Sequence, residues 1–120
     1  MQIEIKCSGL ELTEALRAYV EEKLNRLGKF VHGQDAFLIT VELGKTTAHH
    51  HKGEVYRAEA NMKIDGILLR AEATAEDLYV AIDLLKEEAG RELVNRKTKQ
   101  ESLARRGARK LKSLFKRDKV

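Results

Sequence analysis

The chain has 120 residues, 42% of them hydrophobic and 35% charged, with 23 Lys+Arg against 19 Asp+Glu and a single cysteine. That length supports one domain with a modest core and leaves no room for a second domain of ordinary size. One cysteine excludes an intrachain disulfide and a cysteine-based zinc centre, and no apolar run is long enough to span a bilayer or serve as a secretory leader, so a soluble cytoplasmic protein is expected.

Ile3, Ile5 and Cys7 alternate with Glu4 and Lys6 and predict a strand over 2–7. Cys7 shares the face of the two isoleucines, so a buried core thiol accounts for it better than a reactive or metal-binding one. Leu16, Val20, Leu24 and Leu27 recur at helical spacing and predict a helix over 13–28, with Gly28 where a left-handed terminating residue is wanted. Phe37, Ile39, Val41 and Leu43 alternate with Leu38, Thr40 and Glu42, giving a strand over 36–43. His49-His50-His51 follows. Adjacent loop residues converge poorly on one metal and no carboxylate or cysteine spacing completes a site, so a solvated hairpin loop is expected.

Tyr56, Ala58, Ala60, Met62 and Ile64 alternate with Arg57, Glu59, Asn61 and Lys63 in a strand over 54–64. Asp65-Gly66 then forms a two-residue hairpin turn into a strand over 67–74. Thr74 is placed to cap a helix over 75–97 with Asp77 reaching back, and Leu78, Ala81, Ile82, Leu85, Ala89 and Leu93 supply its apolar stripe.

The order is β-α-β-β-β-α. One sheet face is apolar, so both helices cover it, giving an α+β two-layer sandwich with a four-stranded sheet and a crossover that makes the first two strands parallel. This order resembles a double-stranded RNA-binding domain with an extra leading strand, a likeness of topology that carries no function by itself. The open face carries Glu4, Lys6, Thr40, Glu42, Arg57, Glu59, Lys63, Arg70 and Glu72, and mixed signs favour cross-strand pairs over a phosphate platform. Phe37 and Tyr56 run in phase with the buried residues, so that face is not an aromatic stacking platform.

Charge is segregated along the chain. Residues 1–94 hold 12 Lys+Arg and 17 Asp+Glu, net −5; residues 95–120 hold 11 and 2, net +9. A dense cationic segment suits phosphate neutralisation, so nucleic acid leads as partner class. Two regions follow: a body over 1–99 and a basic C-terminal tail over 100–120. Leu103, Leu111, Leu114 and Phe115 among the tail's cations predict a short amphipathic helix interrupted at Gly107, which orders on RNA or, as the lesser alternative, on anionic lipid. Candidate phosphate contacts are Lys23, Arg26 and Lys29 at the first helix, Lys86, Arg91, Arg96, Lys97 and Lys99 at the second, and Arg105, Arg106, Arg109 and Lys110 in the tail. Arg96, Lys97 and Lys99 equally suit the negative end of a helix dipole, and Lys23 and Arg26 equally suit pairing with acids such as Glu22.

Asp77-Leu78-Tyr79 with Ala81-Ile82-Asp83 in the second helix, together with Thr13, Ala15-Leu16-Arg17, Lys23-Leu24 and Phe30 around the first, resembles the ribosome hibernation promoting factor family, also described as ribosome-associated translation inhibitors. The likeness covers residues 1–99 and implies a short form, without the second domain by which long members join two ribosomes. It implies that basic residues of both helices, matched here by Lys23, Arg91 and Lys97, face ribosomal RNA of the small subunit where messenger and transfer RNA would lie. Glu88, Glu92 and Asn95 depart from the family's more basic second helix, which shifts weight onto the tail.

No Gly-rich phosphate loop, nucleophile elbow or convergent Ser, His and Asp set is present, so no catalysis, cofactor or small-molecule substrate is expected. The reading is a non-enzymatic translation inhibitor, monomeric when free, that binds the decoding channel and promotes hibernation. The alternatives are a general double-stranded RNA-binding protein and a protein-protein modulator of an alternative sigma factor.

Overall fold

A computed structural model describes residues 1–31, 36–46, 53 and 55–117, with side chains through Lys112. His49, His50 and His51 lie outside the described residues. The elements are β1 (Gln2–Ser8), α1 (Glu14–Asn25), a 3-10 helix (Arg26–Phe30), β2 (Phe37–Thr46), β3 (Val55–Ile64), β4 (Ile67–Ala75) and α2 (Leu78–Arg117). They form the expected β-α-β-β-β-α sandwich, with strands in the order β1-β2-β3-β4. β1 runs parallel to β2, placing Ile3 beside Ile39 and Ile5 beside Val41, while β2–β3 and β3–β4 are antiparallel. Asp65 and Gly66 adopt φ of 49° and 80°, the double positive that a two-residue hairpin turn needs.

The core lies between sheet and helices. Ile39, Val41 and Leu43 of β2 and Ala58, Ala60, Met62 and Ile64 of β3 are buried with Leu16, Val20 and Leu24 of α1, Leu27, and Ala81, Ile82, Leu85, Ala89 and Leu93 of α2. Each buried Leu or Ile contributes about 1.5–3 kcal/mol of transfer free energy. α2 packs over β3 and β4, where the buried Ala58, Ala60 and Ala71 leave room for a helix to lie close. β1 sits at the sheet edge, which is why Cys7 is half-buried rather than fully inside. Burial pushes its thiol pKa up, partly offset by Arg17, so it stays protonated at neutral pH.

Four local expectations are corrected. Thr13 does cap α1, its hydroxyl oxygen accepting from the Leu16 N–H at 3.1 Å, but α1 ends at Asn25 and tightens into the 3-10 helix. Gly28 takes no left-handed conformation there, and its carbonyl accepts from the Val31 N–H at 3.2 Å. Thr74 does not cap α2, because β4 continues through Ala75 and pairs Thr74 with Arg57. The cap is Asp77, whose Oδ1 accepts from the Tyr79 and Val80 N–H groups at 2.8 and 3.4 Å. Finally, α2 does not stop near 97 or break at Gly107 but runs 40 residues to Arg117, about 60 Å at the helical rise of about 1.5 Å per residue. One interior glycine costs only about 1 kcal/mol, and the chain has no proline to end the helix.

The open sheet face neutralises itself. Glu42, Glu59 and Glu72 stand side by side across β2, β3 and β4, a like-charge row that would repel if unpaired. Arg57 reaches Glu59 at 3.0 Å and Glu72 at 2.9 Å, and Arg70 reaches Glu59 at 2.8 Å. Glu59, only 9% exposed, therefore lies between two guanidinium groups, and the Arg57 pKa is raised chiefly by its hydrogen bond to Glu72.

Candidate nucleic-acid interface

The helix layer contrasts with that face. Lys29, Lys86 and Arg91 line one cleft of about 290 Å³ between the 3-10 helix and α2, together with Phe30, Glu87, Gly90, Val94 and Asn95. Lys23, Arg26 and Lys86 line the adjoining depression with Asp83, Leu84 and Glu87. Lys86 belongs to both, so five of the expected cations form one continuous band.

Their partners differ. Lys23 is 24% exposed, with its Nζ 3.6 Å from Asp83 and 5.3 Å from the Tyr19 ring centre. The Tyr19 hydroxyl donates to Asp83 at 2.7 Å, and Tyr19 meets Tyr79 edge to face at 4.8 Å. This cluster braces α1 against α2. The hydrogen bond to Asp83 is the main reason the Tyr19 pKa is pushed up to about 12, with desolvation second. Arg26 pairs with Glu22 at 3.4 Å, Lys86 with Glu87 at 3.4 Å, and Arg91 with Glu88. Such neighbouring pairs at the surface are weak, on the order of 0.2–0.5 kcal/mol on a helix, and yield readily to a phosphate. Lys29 lies 5.1 Å above the Phe30 ring centre.

Arg96 stands apart from the band. Its side chain is 11% exposed and reaches Asp65 of the β3–β4 turn at 3.6 Å, anchoring α2 to the hairpin. Beyond it the helix leaves the body: Lys97, Lys99, Arg105, Arg106, Arg109 and Lys110 are exposed and form no ion pair among the described residues.

Phe30 and Val94 enter the site only through the tertiary structure. The available signal is Gly90, a glycine inside a helix, where an added Cβ would sit 3.4 Å from the Phe30 ring and 3.8 Å from Leu27. That is ordinary contact distance, so Gly90 marks where the 3-10 helix packs against α2 and brings Lys29 to Lys86 and Arg91.

No helix among the described residues is long and apolar enough to cross a membrane, and no His, Cys, Asp and Glu cluster among them has metal-binding geometry.

Comparison with known proteins points the same way as the fold. The chain is 34% identical over 100 residues to the ribosome hibernation promoting factor of Azotobacter vinelandii, covering 83% of this chain and 86% of that protein. It is 32% identical over 99 residues to the ribosome hibernation promotion factor of Lactococcus lactis, covering 82% of this chain but 51% of that longer protein. Among solved structures, the Thermus thermophilus Protein Y N-terminal domain is 32% identical with a TM-score of 0.61, over 77% of this chain and 91% of that domain. A ribosomal subunit interface protein from Coxiella burnetii, 24% identical over 82% of this chain and 99% of its own, shares the fold with a TM-score of 0.66. Residues 3–101 match the family described as "Sigma 54 modulation protein / S30EA ribosomal protein", and the chain belongs to that family.

Proposed function

We propose that this protein is a non-enzymatic ribosome hibernation factor that binds the small ribosomal subunit in its decoding channel and blocks messenger and transfer RNA. The observation that carries the reading is the basic band of Lys23, Arg26, Lys29, Lys86 and Arg91 across both helices, four of them in single ion pairs, set against a sheet face where Arg57, Glu59, Arg70 and Glu72 form one network. The relatives' names supply the ribosome, and the band supplies a surface suited to its RNA phosphates. Residues 1–99 act as the docking body in the cytoplasm. Residues 100–120 extend it as a cationic arm in which Arg105, Arg106, Arg109 and Lys110, with Lys97 and Lys99 at its base, add phosphate contacts. Binding that prefers the idle ribosome holds it in that state by mass action.

Sucrose-gradient sedimentation of lysate tests the reading. The protein should run with small subunits and whole ribosomes, and added to a cell-free system it should suppress translation reversibly, with high-salt washing restoring activity and ribosomal RNA intact. Migration with RNA polymerase would favour the sigma-factor modulation in the family description. Reversing charge together at Lys29, Arg91 and Lys97 should abolish competition with messenger and transfer RNA at a stability cost within about 0.5 kcal/mol, as expected at surface sites. Lys23 is left intact because its loss would take the cation from the Tyr19–Asp83 cluster that braces the two helices. Retained competition by the triple variant would rule out the helix layer as docking surface.

A further inference from the structure

A groove that only gripped phosphates would need cations and nothing else. The cleft between the 3-10 helix and α2 is built otherwise: its lining adds a phenyl ring, a valine 44% exposed, a glycine backbone, a carboxylate and an amide to its three cations. We propose that this cleft receives a single unpaired nucleotide of RNA, the base seated against Phe30 and Val94 and its phosphates held by Lys29, Lys86 and Arg91. The inference rests on the RNA-binding reading above and names the form of RNA recognised.

A cleft of about 290 Å³ is of the size of one nucleotide. Bases of a duplex are stacked in its interior, whereas a base in a loop or bulge is free to be splayed onto an aromatic side chain. Phe30 is partly buried, packed against the core and beside Gly90, and the ammonium of the exposed Lys29 sits over its ring, 5.1 Å from the centre. A lysine on that flexible stem turns outward to a phosphate when a base replaces it. Lys86 and Arg91 flank the same cleft, and each is held by a single ion pair, to Glu87 and Glu88. Asn95 presents an amide to the edge of the base, and Glu87 presents acceptors once Lys86 turns to phosphate. A carboxylate beside the base favours edges bearing amino donors, so guanine, adenine and cytosine should be preferred to uracil.

The full chain is titrated with three RNA hairpins identical except at one bulge: a 2-aminopurine nucleotide, an abasic nucleotide, or none. The bulged base should improve affinity about tenfold over the abasic hairpin, within the range of aromatic stacking, with a change in 2-aminopurine fluorescence. Phe30→Leu keeps an apolar side chain against Gly90 but removes the ring, and should reduce the bulged hairpin to the abasic level. Val94→Ser, at an exposed position that cannot disturb the core, should weaken the bulged hairpin selectively and covers the case in which Phe30→Leu folds poorly. Equal affinity for bulged and abasic hairpins, or indifference to Val94→Ser, overturns the proposal. A free nucleoside monophosphate binding as tightly as the bulged hairpin would assign the cleft to a small nucleotide and overturn the RNA assignment. Sedimentation of the unmodified chain with ribosomes separates the two failures: co-sedimentation without base selectivity sinks only the nucleotide cleft, while base selectivity without co-sedimentation sinks the ribosome reading.

Discussion

The two halves of α2 share one continuous backbone yet obey different physics. From Leu78 to Arg96 the helix is held by tertiary contacts: Ala81, Ile82, Leu85, Ala89 and Leu93 are buried, Asp83 accepts from Tyr19, and Arg96 meets Asp65. From Lys97 to Lys112 every residue is exposed. The first half owes its helicity to packing, whereas the second relies on propensity in a run of Lys, Arg, Ala and Leu, marginal for an isolated helix of that length. Regular secondary structure therefore says little about where the folding free energy resides, and the same substitution should have different consequences on either side of Arg96.

The largest difference is expected from paired leucine truncations. Leu85→Ala empties fully buried volume and should cost about 2–5 kcal/mol in denaturant unfolding, while Leu111→Ala, at a position 58% exposed, should stay within about 0.5 kcal/mol. Comparable losses would mean that the arm folds against the body after all. Next in size is truncation after Lys99, which removes Arg105, Arg106, Arg109, Lys110, Lys112, Lys116, Arg117 and Lys119. The unfolding midpoint should not move, but ribosome affinity should fall about tenfold or more, with the salt slope shallower by about 0.9 for each phosphate the arm had neutralised. An unchanged slope would reduce the arm to a solvated appendage.

A smaller loss, about 1 kcal/mol, is expected for Asp77→Ala, which leaves the Tyr79 and Val80 N–H groups without their acceptor at the packed end of α2. Thr74→Ala should leave the cap intact, and the reverse ranking would restore Thr74 as the capping residue. The smallest effect is confined to alkaline pH. The Tyr19 pKa is raised from 10.0 to about 12, so the stability its hydroxyl contributes is complete below pH 10 and disappears as pH rises through about 12. Tyr19→Phe should flatten that alkaline decline; an identical decline in both proteins would place its origin in other groups.

Much of the body was legible because its determinants are local. Alternation placed all four strands, the 3.6-residue stripes placed both helices on one face, and Asp65-Gly66 placed the hairpin. The pairing of Arg57, Glu59, Arg70 and Glu72 followed from mixed signs on one face of the sheet. The misreadings were at element ends. Thr74 and Asp77 both suit an N-cap, and only the pairing of β4 through Ala75 decides between them. Gly28 and Gly107 both resemble helix terminators, yet neither is one, because a glycine permits a left-handed turn without requiring it.

The sequence by itself determined the order of elements, the apolar faces and the segregation of charge into a +9 segment, and it supplied the basic residues from which an interface would be drawn. Only the tertiary structure decided how those residues are used. Tyr19 and Asp83 are 64 positions apart, and no periodicity reports that their hydrogen bond, with Lys23 alongside, braces the two helices. Lys97 and Arg96 are adjacent and chemically alike, yet one is exposed and the other nearly buried against Asp65. Phe30 lines one cleft with Lys86 and Arg91 because the fold packs the 3-10 helix against α2 at Gly90, joining segments about sixty residues apart. The physical reason is the same in each case: propensity and spacing act over a few residues, whereas the pairing and burial of a charged side chain depend on whatever the folded chain brings within a few ångströms of it.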